Sequence, residues 1–369
     1  MTAQPPARPG SQPGSQPGSQ PGSQPGTRPD PTAGAASPAR PSGSRADERA
    51  DARAEQFVFL LLDSFSLIAF ASAIEPLRLA NFASGQDLYR WRVLSGDGQP
   101  VRSSGGLPVG ADGGLEDLSR DCTLIVCAGI NVKQSIRRPV LNWLRREARK
   151  GMAVGAICTA PHVLAEAGLL DGRKATIHWD NRDSFAEDFP DIDLRQSIFV
   201  IDGNRLTASG GTAPSDMMLK LIGRRHGPDL ASAVADQMIH TSIRSDRDEQ
   251  RLSIPSRIGI RHPKLSTVIK MMEDNIEDPI SPAALAADVG MSTRQLERLF
   301  RRYLSRSPKR YYMELRLKKA KNLLLQTDMS VINVALASGF SSPSHFSKCY
   351  RAHFGTTPYR ERGTPEPAA

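Results

Sequence analysis

Two stretches of this chain repeat each other, and the repeat restricts the last quarter to one kind of architecture. LAADVGMSTRQLERLFRRYLSRSP begins at Leu285, and VALASGFSSPSHFSKCYRAHFGTTP begins at Val334. Ala286 matches Ala335, Gly290 matches Gly339 and Met291 matches Phe340. After one inserted residue, Leu296 matches Phe346, Phe300 matches Tyr350, Arg301 matches Arg351, Leu304 matches Phe354 and Pro308 matches Pro358. Each copy reads as a helix, a glycine turn, a polar cap and a second helix, which is the pattern of a helix-turn-helix. The glycine permits the left-handed backbone that a sharp turn needs. Ser292 and Ser341 are placed to cap the second helices.

Within the second helix of the first copy, Leu296, Leu299, Phe300 and Tyr303 share one face by 3.6-residue periodicity. Arg294, Glu297, Arg298 and Arg301 fall mainly on the other side. In the second copy Phe346, Tyr350 and Phe354 form the inner stripe, and Ser344, His345, Ser347, Lys348 and Arg351 point largely outward. Outward charges on one such helix often do no more than solvate a bundle. Two matched copies joined by a basic helix argue for nucleic acid instead. Charge agrees: sixteen Lys/Arg against nine Asp/Glu lie between Lys264 and Glu361, which places +7 of the chain's net +9 there. Arginine can hydrogen-bond guanine with two donors, whereas lysine on phosphate adds affinity with little sequence information.

The front of the chain is different in kind. Residues 1–55, with SQPGSQPGSQPGSQPG from Ser11 to Gly26, lack the apolar groups needed to offset the entropy of ordering and are expected to be a disordered tail. From Phe57, short apolar runs (FVFLLLD, RWRVL, CTLIVCAG, MAVGAIC, ATIHW, SIFVI, RLTAS) alternate in part with helical stretches such as RPVLNWLRREARK. That alternation predicts an α/β domain over 56–242 with a mainly parallel sheet and helices on both faces. SLIAFASAIEPLRLANF is helix-like, with Pro76 expected to interrupt or kink it. GTAPSDMMLKLIGRRHG reads as a closing helix capped by Thr212. The charged stretch 243–262 is the expected linker. Beyond it no convincing strand remains, so an all-α domain over 263–361 with two helix-turn-helix units is expected, then a short tail over 362–369.

One short segment raises a chemical question. In GAICTAP, residues 155–161, a strand runs into Cys158 and a helix follows. A cysteine there can be a nucleophile if a base or positive neighbour forms its thiolate. The four cysteines, Cys122, Cys127, Cys158 and Cys349, form no CxxC pair, which fits a reducing cytosol. No metal or cofactor site is expected. No apolar run approaches the ~18 residues of a membrane span, and the N-terminus lacks the apolar core of a signal peptide.

Residues 264–361 resemble the AraC/XylS-type DNA-binding domain, in which two helix-turn-helix units are bridged by a helix, here around 308–326. VALASGFSSPSHFSKCYRAHFGTTPYRER follows the second-unit pattern closely. Residues 57 to about 240 resemble the ThiJ/PfpI branch of the class I glutamine amidotransferase-like fold. GAICTAPHVLAEAGLLDGRKATIHW matches the elbow, with Cys158 at the nucleophile position and His178 at that of the later histidine, and TASGGTAPSDMMLKLI matches the late glycine turn. The combination resembles the GlxA-type transcriptional regulators.

The resemblance implies double-stranded promoter DNA as partner, contacted through Arg294, Glu297, Arg298, Ser344, Ser347 and Lys348. It also implies a small-molecule effector, a homodimer, and RNA polymerase as a partner if the protein activates, in a bacterial cytoplasm at the nucleoid. Enzymes of the ThiJ/PfpI group carry an acid in the helix after the first strand, where this chain has Ala69; Glu75, six residues on, is an imperfect substitute. Catalysis is therefore not expected. The predicted effector pocket comprises Cys158, His178, Trp179 and Glu75, with Trp179, Asp180 and Glu75 suited to a cationic, nitrogen-containing guest of the amino-acid or quaternary-amine class. A cysteine-dependent hydrolase or lyase with an accessory DNA-binding end, an architectural DNA-binding protein, and a merely packed Cys158 stay open as alternatives.

Overall fold

The computed structural model describes residues 54–250, 254–259 and 262–363. The SQPG repeat and the last six residues, for which tails were expected, lie outside the described residues. Six strands form the main sheet: β1 (Glu55–Leu61), β2 (Tyr89–Leu94), β3 (Thr123–Cys127), β4 (Ala153–Ile157), β5 (Phe199–Asp202) and β6 (Arg205–Ala208). Their spatial order is β2-β1-β3-β4-β6-β5. Every pairing is parallel except β5–β6, a hairpin.

Period-two alternation in β1 divides the interior into two cores. Phe57, Phe59 and Leu61 face one layer, built from α1 (Leu67–Ser84), α5 (Ala213–His226) and α6 (Pro228–Gln237). Val58, Leu60 and Leu62 face the other, built from α2 (Arg138–Ala148) and α3 (Pro161–Glu166). Both faces are covered, so the strands are apolar on both sides, as a parallel sheet requires. ATIHW forms only a two-residue strand, Lys174–Ala175, paired outside the main sheet. The chain then passes through a tight turn, Trp179–Asn181, into α4 (Arg182–Asp188).

Two local expectations need correction. Helix α1 runs unbroken through Pro76. Proline removes the hydrogen bond to the carbonyl four residues back, and that carbonyl, of Ser72, instead accepts from Ser215 Oγ at 3.0 Å. Thr212 stands before α5 without capping it; its hydroxyl accepts from Arg244 Nη2 at 2.8 Å. The first part of the expected linker, through Gln250, is bonded to the α/β part. The fully buried Asp216 carboxylate accepts from Arg244 N at 2.7 Å and Nη2 at 2.6 Å and is 2.9 Å from His240 Nε2. Gln250 Nε2 donates to Thr176 Oγ1 and Ile177 O, both at 2.9 Å.

From residue 262 on, the described residues hold no strand. Helices α7 (Pro263–Asp274), α8 (Pro282–Asp288) and α9 (Thr293–Leu304) enclose one small core, and α11 (Val331–Ala337), α12 (Pro343–Phe354) and α13 (Pro358–Arg362) flank a second. The long α10 (Pro308–Gln326) belongs to both, giving Tyr312 to the first and Leu317, Ala320, Leu323 and Leu324 to the second. Arg316 pins α10 to the second unit: its guanidinium donates to the carbonyls of Ser338 (2.9 Å) and Gly339 and lies 4.2 Å from the centre of the Phe340 ring. No described helix is long and apolar enough to cross a membrane.

Candidate nucleic-acid interface and elbow pocket

The two matched helices are α9 and α12. Ser292 caps α9 in a reciprocal box: its hydroxyl accepts from Gln295 N, and Gln295 Oε1 accepts from Ser292 N at 2.8 Å. In α12 the cap is Ser342, which accepts from His345 N at 3.3 Å, and not Ser341. The residue inserted in the second copy moves the cap by one. Leu296, Phe300, Phe346 and Tyr350 are buried. Arg294, Glu297, Arg298, Ser344 and Lys348 are exposed, and Ser347 is half-buried. Among the described residues no ion pair engages Arg294, Glu297, Arg298 or Lys348. The first helix therefore presents two guanidinium groups that need not break an internal bond to reach a base edge.

The elbow lies at the carboxyl end of the sheet. Cys158 follows β4 directly with φ at 62°, a left-handed conformation that strains any residue with a Cβ. Its neighbours hold it there. Cys158 N donates to Ala208 O at 3.0 Å, His178 N donates to Cys158 O at 3.1 Å, and Thr159 Oγ1 donates to Gly129 O at 2.6 Å. A Cβ at Gly210 would fall 2.9 Å from His178 Cδ2 and 3.1 Å from Cys158 Sγ, so only glycine leaves both undisturbed. The late glycine turn thus packs closely against both the sulfur and the imidazole.

The electrostatics oppose nucleophilic chemistry. Cys158 is 8% exposed. Burial pushes its thiol up to about 11, outweighing hydrogen bonds from the Thr159 backbone and the Ser66 side chain. Burial also lowers the His178 pKa, against the pull of Asp180. His178 Nδ1 accepts from Asp180 N at 3.3 Å, which places the proton of the neutral ring on Nε2. Ala69, where the family's acid would stand, is buried in the same core.

The four expected pocket residues do not all meet. Cys158 and His178 do, at Gly210. Trp179 lies beside His178 with ring centres 5.6 Å apart, and it carries Lys318 Nζ of α10 at 5.3 Å. Asp180 accepts from Asn322 Nδ2 at 3.0 Å. Glu75 pairs with Arg78 at 2.6 Å, side by side on α1. Ser66, Thr159 and Gly210 are the elbow residues that sequence reasoning missed. The SGG preceding α5 was the one visible hint of them.

Comparison with known proteins places this arrangement. Residues 56–224 match the DJ-1/PfpI family, and residues 285–363 match a helix-turn-helix domain family. The HTH-type transcriptional regulator GbdR of Pseudomonas aeruginosa (strain UCBPP-PA14) is 48% identical over 304 residues, 82% of this chain and 83% of that protein. The regulator CdhR of Pseudomonas aeruginosa (strain PAO1) is 48% identical over 309 residues, 84% of this chain and 92% of that protein. GlxA of Rhizobium meliloti is 42% identical over 303 residues, 81% and 93% of the respective chains. The chain belongs to the GlxA-type transcriptional regulators, DNA-binding proteins in which a DJ-1/PfpI domain precedes an AraC-type helix-turn-helix domain.

Proposed function

We propose that this protein is a dimeric transcriptional activator whose elbow pocket binds a small nitrogen-containing metabolite without transforming it. The observation that carries the reading is the elbow's chemistry: a strained cysteine held as a neutral thiol beside a neutral histidine, with alanine at the acid's position. Such a site keeps a shaped concave floor after its proton-transfer partner is gone. The effector class rests on the family resemblance alone, because the carboxylates first considered for a cation, Glu75 and Asp180, are already engaged by Arg78 and Asn322. The polar groups at the elbow are the Cys158 thiol, the Ser66 hydroxyl, which accepts from Ala69 N, and the His178 ring, whose Nδ1 accepts from Asp180 N.

DNA readout falls to Arg294, Glu297 and Arg298 of α9, with Ser344, Ser347 and Lys348 of α12 reading more weakly. One protomer carries two recognition helices, so its half-site spans two major-groove segments about 34–36 Å apart. Effector binding acts by preferring the DNA-competent arrangement, with a preference of ~1–3 kcal/mol sufficient to matter.

The experiment is footprinting on the promoter beside the protein's own gene, with and without amino acids and quaternary amines, alongside a reporter. Cys158→Ser is expected to keep induction, and Cys158→Trp to lose it while still binding DNA. Turnover of a metabolite by wild type that Cys158→Ser lacks, with induction lost in the same variant, refutes the sensor and restores the hydrolase. Sedimentation showing a monomer at micromolar concentration refutes the dimer.

A further inference from the structure

The turn that follows His178 faces two ways. His178 lines the elbow, and its Nδ1 accepts from the backbone N–H of Asp180. The Asp180 carboxylate then accepts from Asn322 on α10 at 3.0 Å. Trp179 offers its ring to Lys318 at 5.3 Å, and Ser184 Oγ donates to Gln326 Oε1 at 2.8 Å. On α10, Lys318, Asn322 and Gln326 stand four residues apart and form one polar stripe. Leu317, Ala320, Leu323 and Leu324 face the second core instead.

We propose that this stripe and the 179–184 segment form an intramolecular latch that holds the DNA-binding helices in an arrangement unfit for the operator, and that pocket occupancy releases it. The inference rests on the sensor reading for its trigger but not for its existence.

Three features support the latch. First, α10 is shared by both small cores, so fixing α10 fixes both recognition helices relative to the sensor. Second, the contacts named above are hydrogen bonds and one cation–ring pair, and water can replace each hydrogen bond. An effector with a modest preference for the released form can therefore shift the balance. Third, a guest seated over Cys158 Sγ and Gly210 meets the His178 ring, and that ring is hydrogen-bonded to the residue that holds Asn322.

The test uses the full-length chain, without any effector, in operator binding and in a reporter. Asn322→Ala and Ser184→Ala should each raise effector-free operator affinity and basal transcription by several-fold. The exchange Asp180→Asn with Asn322→Asp rebuilds the bond with its donor and acceptor reversed, and should restore the low basal level. Unchanged or lowered basal binding in Asn322→Ala overturns the latch. A rise that persists in the exchanged pair also overturns it, because the effect then belongs to α10 itself. Every readout is taken without metabolite, so failure of the sensor reading leaves this result interpretable.

Discussion

Gly290 and Gly339 occupy equivalent places in the repeat, yet their replacement by alanine should have unequal costs. Both adopt left-handed backbone, with φ at 62° and 76°. For a residue with a Cβ that conformation costs about 1–2 kcal/mol. At Gly290 nothing further opposes the methyl group, whose nearest neighbour is Lys264 Nζ, the end of a flexible side chain, at 3.8 Å. At Gly339 the Cβ would fall 2.3 Å from Ile276 O, 2.8 Å from Pro279 Cγ and 3.0 Å from Glu277 O. Backbone must move, in the loop between α7 and α8, and overpacking of that kind adds roughly 1–3 kcal/mol. Gly290→Ala should therefore lose ~1–2 kcal/mol and Gly339→Ala ~2–5 kcal/mol, a large part of the stability of an ordinary domain. Urea titration of the full-length chain can separate the domains. Trp179 contacts Lys318 of α10, so the titration uses a Trp179→Phe background; the remaining Trp91 and Trp143 lie in the α/β part, and far-UV circular dichroism lost ahead of their signal reports the helical domain. Equal shifts in the helical-domain midpoint for the two variants would refute the steric reasoning.

Other outcomes follow from the same geometry. Arg294→Ala and Arg298→Ala should each reduce the preference for operator over scrambled DNA by roughly 1–3 kcal/mol; unchanged competition ratios for both would remove α9 from base readout. His162, packed edge-on against Phe185 and Phe189, has its pKa lowered to about 4 by burial. The unfolded chain takes up that proton first, so stability is whole above pH ~6.5 and falls by up to about 3 kcal/mol as pH drops towards 4. His162→Leu should flatten this part of the stability–pH curve, and an unaltered slope counts against the assignment. Cys158, pushed up to about 11, should resist iodoacetamide at pH 7.5 while the more accessible Cys349 is alkylated. Mass spectrometry finding Cys158 labelled first would show an activated thiolate.

The repeat and the strand alternation were legible in the sequence because both arise from local periodicity. FVFLLL carries its two-faced burial in its own composition, and the α9 and α12 stripes carry theirs. What was not legible depends on distant partners. Pro76 leaves α1 intact because Ser215, on another helix, satisfies the carbonyl that proline orphans. Cys158 and His178 were visible as a spacing, but Gly210 joins them only because β6 lies beside β4. Trp179 and Asp180 were read as suited to a cationic guest through a ring face and a carboxylate; in the fold the chain turns there, and their contacts reach α10. Glu75 has the plainest explanation: Arg78, three residues on, is a helical neighbour, and that pairing could have been read in advance.

The segment expected to be a linker is bonded to the α/β part on both sides of the elbow. Coupling between a pocket and a DNA-binding domain through a flexible tether would be weak, since a tether transmits only proximity. Here the connection is fixed to both sides of the elbow. Arg244 grips Asp216 and Thr212, just after the glycine turn whose Gly210 touches Cys158 and His178. Gln250 grips Ile177 O, one residue before His178. A guest that displaces either the glycine turn or the histidine therefore shifts an anchor of the strap as well as the turn that holds Asn322. Gln250 and the 179–184 turn both make their contacts within a few residues of the His178 ring, so under the proposed latch a movement of His178 would reach both. The polar bonds around residues 177–184 are of the kind that can be exchanged for water at small cost, as the proposed release requires.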